Sequence, residues 1–368
     1  MTTHKKVLFL TLYIFGLTGG IEKVCRSFAK VLKDLFAEGS IENYQVLSIY
    51  DAQPDDRYID FNKFKGFRAS KLRFAFEVIM NGKNADVIVL SHINLLPFGW
   101  LIKKISPGKR IVLFAHGIEI WGKLSKWKTS FIQKQVEVIA VSNYTAEKLK
   151  EIHQASTKNI KVIHNCLDPF FATPISLDKP QSLLKRYNLE VDSKVLFSLN
   201  RLSSSEQYKG YDKVIEVLAE LPENFYYILG GKADAREEQR VNALIIQHKL
   251  QNRVKLIGFI NDEELIDHYL LADVFVMPSK AEGFGISFIE AAACGRRSVT
   301  GNQDGSKDAI LNGSLGQSVN PTDKPALKAA ILDEIDLIYN KIDLQEKCLK
   351  AFGFEGYKIR ISDRLVNC

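Results

Sequence analysis

The chain has 368 residues, about twice the usual length of a single domain, so two domains are the first expectation. Its 46% hydrophobic and 25% charged residues match an average globular protein and exclude wholesale disorder and fibrous repeats. The formal charge of +7 belongs to the front of the chain: residues 1–178 hold 25 Lys and Arg against 16 Asp and Glu, leaving 25 against 27 in the rest.

In chain order, His4, Lys5 and Lys6 precede an apolar stretch at 7–15, a profile shared by short signal peptides and by the buried first strand of a parallel sheet. The strand is the better reading, because Gly16, Gly19 and Gly20 then open the amphipathic pattern Ile21, Val24, Cys25, Phe28, Val31, Leu32 of a helix. No apolar run reaches the ~20 residues that span a bilayer, so a soluble or membrane-peripheral chain is expected. Five cysteines without metal-ligand spacing, and odd in number, argue against a disulfide framework and fit a reducing cytoplasm.

Further strands are predicted at 44–49, 87–91, 110–115 and 136–141, with helical patterns between several of them, which is the rhythm of a parallel sheet covered on both faces. Pro169, Pro174 and Pro180 break that rhythm, and the linker is expected there, giving domains at 1–178 and 179–350 and a tail at 351–368 that could pack back on the first domain. A second series follows: strands at 194–200, 225–230, 254–257 and 274–277, and helices at 211–220, 235–249 and 262–271. Two doubly wound α/β domains are therefore expected, with ligands at the carboxyl ends of their strands and a default site in the cleft where those ends face each other.

Residues 272–310 carry the densest chemistry. An apolar strand ending at Met277 leads into Glu282, Gly283 and Gly285, and a helix begins near Ile286. Backbone N–H groups at a helix N-terminus beside a loop of small residues make an anion site. Glu290 lies inside that helix, spaced so that its carboxylate and that of Glu282 can face one side. Carboxylates repel phosphate but accept well from vicinal hydroxyls, and a phosphate flanked by hydroxyls describes a nucleotide sugar.

EGFGISFIE at 282–290 resembles the E-x7-E signature of retaining glycosyltransferases with the GT-B fold, especially glycosyltransferase family 4. The resemblance spans nearly the whole chain, through TGGIE (18–22), FAHGIEIW (114–121), VSNYT (141–145), VIHNCLD (162–168), NRLSSSEQYKGYD (200–212) and VKLIGFI (254–260). It implies that Arg201 and Lys209 hold the donor diphosphate in place of a metal, consistent with the lack of any D-x-D; no metal or cofactor is expected. It assigns Glu290 to the ribose hydroxyls, Glu282 to the donor sugar, and the amides of Phe284, Gly285 and Ile286 to sugar or phosphate. Gly20 would let its loop approach the diphosphate or acceptor, Ile260, Gly230 and Gly231 would lie near the base, and His116 near the reacting centre, although a loop-anchoring histidine fits the same position. His164 reads as a structural residue between domains. Residues 203–207 exceed the minimal motif, and Arg296 and Arg297 stand where the family has a small or basic residue and a proline.

The implied reaction is sugar transfer with retention by front-side attack, without the acid and nucleophile pair of glycosidases. The basic and aromatic stretch at 61–74 suits an anionic membrane carrying a lipid-linked glycan acceptor, or equally a helix with Phe74, Phe76 and Ile79 in the core. GNQDGSKDAI at 301–310 resembles bacterial surface-polysaccharide members, which favours O-antigen, capsule or exopolysaccharide assembly. No nucleic-acid module is recognisable. A nucleotide-sugar epimerase on the same fold and an inactive nucleotide-sugar-binding scaffold are the alternatives. A dehydrogenase is disfavoured because GLTGG does not supply G-x-G-x-x-G.

Overall fold

The computed structural model describes residues 4–366, which divide into two compact units, 4–170 with 352–366, and 171–351. In the first unit seven parallel strands are ordered β3-β2-β1-β4-β5-β6-β7: β1 (Lys6–Thr11), β2 (Asn43–Ser48), β3 (Phe64–Gly66), β4 (Val87–Leu90), β5 (Arg110–Ala115), β6 (Val136–Ala140) and β7 (Ile160–Val162). In the second, six are ordered β10-β9-β8-β11-β12-β13: β8 (Lys194–Leu199), β9 (Phe225–Gly230), β10 (Val254–Gly258), β11 (Val274–Met277), β12 (Arg297–Gly301) and β13 (Gly316–Val319). Both units are doubly wound, as the alternating pattern predicts. Their strand order reverses between β1 and β4 and between β8 and β11, and at such switch points the loops leaving neighbouring strands part and leave room for a ligand.

The central strands are short apolar runs buried on both faces; every residue of β4 (VIVL) and β11 (VFVM) is buried. Helices cover them with one apolar face each, as in Gly20–Ala37, which buries Val24, Phe28, Val31, Leu32 and Leu35. The edge strands FKG, IKV and GQSV escape sequence reading because they are three or four residues long and carry polar residues. β12 (RSVTG) escapes it too, since Arg and Thr interrupt its apolar pattern.

The boundary falls at Phe170–Phe171 rather than after residue 178. The intervening segment is held by the second unit: the buried Arg296 guanidinium donates to the Leu177 carbonyl at 2.7 Å, and Gln345 donates to the Pro174 carbonyl at 3.0 Å. The helix Phe354–Val366 belongs with the first unit, where Arg110 donates to the Arg364 and Leu365 carbonyls and Lys358 pairs with Glu38 at 3.0 Å. His164 packs its ring 6.2 Å from that of Phe352, inside the first unit. The helix Lys71–Asn84 buries Phe74 and Val78, four residues apart, and leaves Phe76 exposed, so Phe76 is not a core residue.

Candidate functional site

The second unit gathers its chemistry where β8 and β11 end. The loop leaving β8 carries Arg201 and Lys209, and the loop leaving β11 carries Glu282. Adjacent parallel strands bring these two loops side by side, and the Lys209 ammonium forms an ion pair with the Glu282 carboxylate. Burial alone would lower the Lys209 pKa, but the Glu282 carboxylate and Tyr208 outweigh it and hold the ammonium above the usual lysine range. Lys209 is thus a fixed, permanently charged cation. Arg201 is its exposed counterpart: its side chain is 61% exposed and reaches Glu206 only at 3.4 Å. The extra residues 203–207 are anchored, since the Ser204 N–H donates to Asp234 at 2.8 Å and Gln207 to Glu237 at 2.8 Å.

Glu290 is buried in the helix Ile286–Ala293 and accepts from the Tyr269 hydroxyl at 2.8 Å. Burial and the Glu290 charge together push the Tyr269 phenol well above its ordinary pKa, so it stays a donor. Gly285 caps the helix at φ +91°, a left-handed conformation where a side chain would also strike the Phe288 ring at 2.4 Å. Phe284 and Ile286 on either side are buried. Ile260, after β10, is buried against Gly230. Gly231, at φ +130°, passes the Asn200 carbonyl so closely that a Cβ would lie 1.6 Å from its oxygen. Backbone packing between the loops after β8 and β9 therefore explains this glycine without a ligand.

Sequence reasoning missed Asp304, in the loop after β12. Its carboxylate, 2% exposed, accepts from the Glu282 N–H at 2.6 Å and the Ser306 N–H at 3.0 Å, while the Gly305 N–H donates back to the Glu282 carbonyl at 2.8 Å. Burial pushes the Asp304 carboxyl up to about 6, against the two amide bonds that lower it. The DGS string was the available signal, since an aspartate before a glycine often bonds backbone two residues on.

In the first unit the loop after β1 is built around Asp51, also missed. Its carboxylate accepts from the N–H groups of Ile14 (2.6 Å), Phe15 (3.2 Å) and Gly16 (2.7 Å) and from the Ser48 hydroxyl (2.6 Å). Gly20 opens the following helix, and a Cβ there would meet nothing within 4 Å. His116 follows β5 and is buried. Its Nε2–H donates to the Ser91 carbonyl at 2.8 Å, and its backbone N–H donates to Glu119 at 2.6 Å. A carbonyl can only accept, so Nε2 carries the proton and Nδ1 is the nitrogen left for other chemistry. His92, after the neighbouring β4, was not singled out; burial lowers its pKa, with Glu119 opposing and His116 and Lys128 adding to the effect. Among the described residues, no group of three His, Cys, Asp or Glu side chains could hold a metal ion.

The aromatic stretch at 61–74 is mostly interior: Phe64, Phe67 and Phe74 are buried and only Phe61 is exposed. Two exposed tryptophans lie further on. Trp100 and Trp127 meet edge-on at 6.1 Å, with Lys104 and Lys128 over their respective rings. Between residues 87 and 136 the sequence has eight Lys and Arg and one acid, Glu119. No helix among the described residues is long and apolar enough to cross a membrane.

Residues 18–170 match the model of Glycosyltransferase Family 4, and residues 181–348 match Glycosyl transferases group 1. The chain is 31% identical over 243 residues to a GDP-mannose-dependent alpha-(1-6)-phosphatidylinositol monomannoside mannosyltransferase of Mycolicibacterium smegmatis, covering 61% of this chain and 60% of that protein. It is 34% identical over 199 residues to mannosylfructose-phosphate synthase of Agrobacterium fabrum, covering 52% of this chain and 43% of the relative. These matches span about half the length of the relatives. Among solved structures, Anabaena HepE in complex with UDP superposes with a TM-score of 0.80 at 21% identity, over 99% of this chain and 100% of that one. A glycosyltransferase from Rickettsia africae does so with a TM-score of 0.79 at 19% identity, over 98% of each chain. At such identities the likeness establishes the fold, which is GT-B.

Proposed function

Because the chain belongs to the family 4 glycosyltransferases of the GT-B fold, we propose that it transfers a hexose from a nucleoside-diphosphate sugar to a glycan acceptor with retention of configuration. The observation that carries this reading is the partly buried Lys209–Glu282 pair at the β8–β11 switch point, with Arg201 exposed on the same loop. Two cations beside a carboxylate suit a diphosphate joined to a polyhydroxylated sugar. The cations neutralise the charge that grows on the leaving diphosphate, and Glu282 exchanges part of its ion pair for sugar hydroxyls. Glu290, oriented by Tyr269, is assigned to the ribose, the amides of Phe284, Gly285 and Ile286 to phosphate or sugar, and Ile260 to the base. Gly231 shapes that region through the backbone. His116 is assigned to the reacting centre through Nδ1, and Gly20 to the approach of diphosphate or acceptor.

The proposed acceptor is a lipid-linked glycan of bacterial surface-polysaccharide assembly, met at the inner face of the membrane. Support comes from the Trp100–Trp127 pair and the basic 87–136 stretch, which suit an anionic lipid surface better than the largely interior 61–74 segment does. The relatives' names include GDP-mannose and the neighbours' complexes include UDP, so both nucleotides belong in the donor screen.

The test is release of nucleoside diphosphate and formation of glycoside from UDP-glucose, UDP-galactose and GDP-mannose, with and without EDTA, the product's anomeric configuration being read by NMR. New glycoside of unchanged configuration, formed in EDTA, is expected. Lys209→Ala should lower turnover by about 100-fold or more. An isomerised free nucleotide sugar would identify an epimerase instead, and binding without turnover would identify a scaffold.

A further inference from the structure

We propose that Asp304 is a positioning residue for the donor site, aiming the Glu282 carboxylate at Lys209 and at the donor sugar by holding the Glu282 backbone from outside the E-x7-E segment. The proposal rests on the donor reading above and adds a residue to it.

The geometry is a two-way clamp. The Glu282 N–H is donated to Asp304, and the Glu282 carbonyl accepts from Gly305, so both backbone groups of the residue are taken by the β12 loop. On its other side the β11 loop is tied to the β8 loop, where the Lys280 N–H donates to the Tyr208 carbonyl at 2.9 Å. The backbone is thus tied on both sides of Glu282, and the side chain carries no such backbone tie. An acceptor-only group is required at 304, because two N–H donors, of Glu282 and Ser306, face its two oxygens. Asparagine has the same shape but presents an NH2 to one of those donors. Glutamate would not fit a carboxylate site that is 2% exposed.

Protonation should have the same effect as the amide. The ionised and polar groups facing Asp304 are Glu282, which Lys209 neutralises, and Ser306. When Asp304 takes a proton near pH 6, one of its oxygens becomes a hydroxyl and the bond to the Glu282 or Ser306 amide weakens. Global stability moves the opposite way. The carboxyl's folded pKa lies above its unfolded value, so the native state binds the extra proton between about pH 4 and 6 and is favoured as pH falls through that window. Turnover lost in acid without loss of stability is a signature that a purely structural residue does not produce.

The experiment pairs Asp304→Asn with hydrogen exchange on the unaltered protein. Asp304→Asn should keep a native melting transition, lose about tenfold in kcat with a smaller change in donor KM, and show no acid limb near pH 6, whereas the wild type shows one. In the wild type, the protection factor at the Glu282 amide should fall below pH 6 while that of Val276 in β11 stays constant. A variant with wild-type kcat and acid limb would overturn the proposal. So would a wild-type Glu282 amide whose protection is independent of pH, and that measurement decides the matter if the variant does not fold. The exchange result does not need turnover. If no donor is consumed at all, the glycosyltransferase reading fails while the clamp is still tested.

Discussion

The two units solve one problem twice, with different tolerance. In each, a buried aspartate from a neighbouring loop accepts backbone N–H donors of the loop that carries the candidate chemistry: Asp51 three from the loop after β1, Asp304 one, that of Glu282, from the loop after β11. The units part company over their glycines. In the second, Gly231 lies against the Asn200 backbone, whereas Gly20 in the first has open space where its side chain would be. A glycine required by internal packing says little about ligands. One that the fold does not require has room reserved for something else, and that makes Gly20 the more informative of the two.

The sharpest way to break this contrast is to add a methyl group to each. Gly231→Ala, with a Cβ placed 1.6 Å from the Asn200 oxygen at φ +130°, should fail to accumulate as folded protein, as read by soluble yield and circular dichroism. Gly20→Ala should melt within a few degrees of wild type, since exchanging Gly for Ala in a helix is worth about 1 kcal/mol in Ala's favour, yet it should lose turnover. Equal melting temperatures for the two variants would end the distinction.

Removing the first unit's clamp should have the next largest effect. Asp51→Ala strands three backbone N–H groups, and a loss of about 3 kcal/mol is expected from urea unfolding. Asp304 is tested through pH. Because its carboxyl is raised to about 6, the stability of wild type relative to Asp304→Asn should fall as pH rises from 4 to 6, by on the order of 3 kcal/mol. Paired thermal denaturation across that range measures it, and a constant difference would remove Asp304 from the comparison. The smallest effect on stability, and a specific one on location, is expected at the surface. Trp100→Ser with Trp127→Ser should leave melting nearly unchanged and reduce sedimentation with phosphatidylglycerol vesicles, while neither protein binds phosphatidylcholine vesicles strongly. Raising salt should weaken the wild-type association, because exposed charges are screened over about 10 Å at 0.1 M.

Much of the fold was legible because it is written in local patterns. Strands such as 110–115, 225–230 and 274–277 are apolar runs bounded by loops, and their limits agree with β5, β9 and β11. Helix 262–271 shows the same agreement. The edge strands were illegible, because their identity comes from a neighbour's hydrogen bonds and not from their own side chains. The candidate site divides along the same line. Lys209, Glu282 and Glu290 could be named from their motif, but the Lys209–Glu282 pair joins residues 73 positions apart, and the Tyr269 partner of Glu290 lies 21 positions away on another helix. Phe76, a core residue in one of the two readings of that helix, is exposed because Phe74 and Val78 take the buried face.

By itself, then, the sequence determined the alternation of strands and helices, the two-domain plan, the uneven charge and the identity of the motif-bearing residues, since each depends on spacing along the chain. Tertiary structure alone decided which carboxylates hold backbone rather than ligand, which glycines are needed for packing, which nitrogen of His116 carries the proton, and where the exposed aromatics lie. Those properties depend on groups distant in sequence meeting within a few ångströms. No local pattern encodes that meeting, because it is set by strand order and by which loops leave adjacent strands.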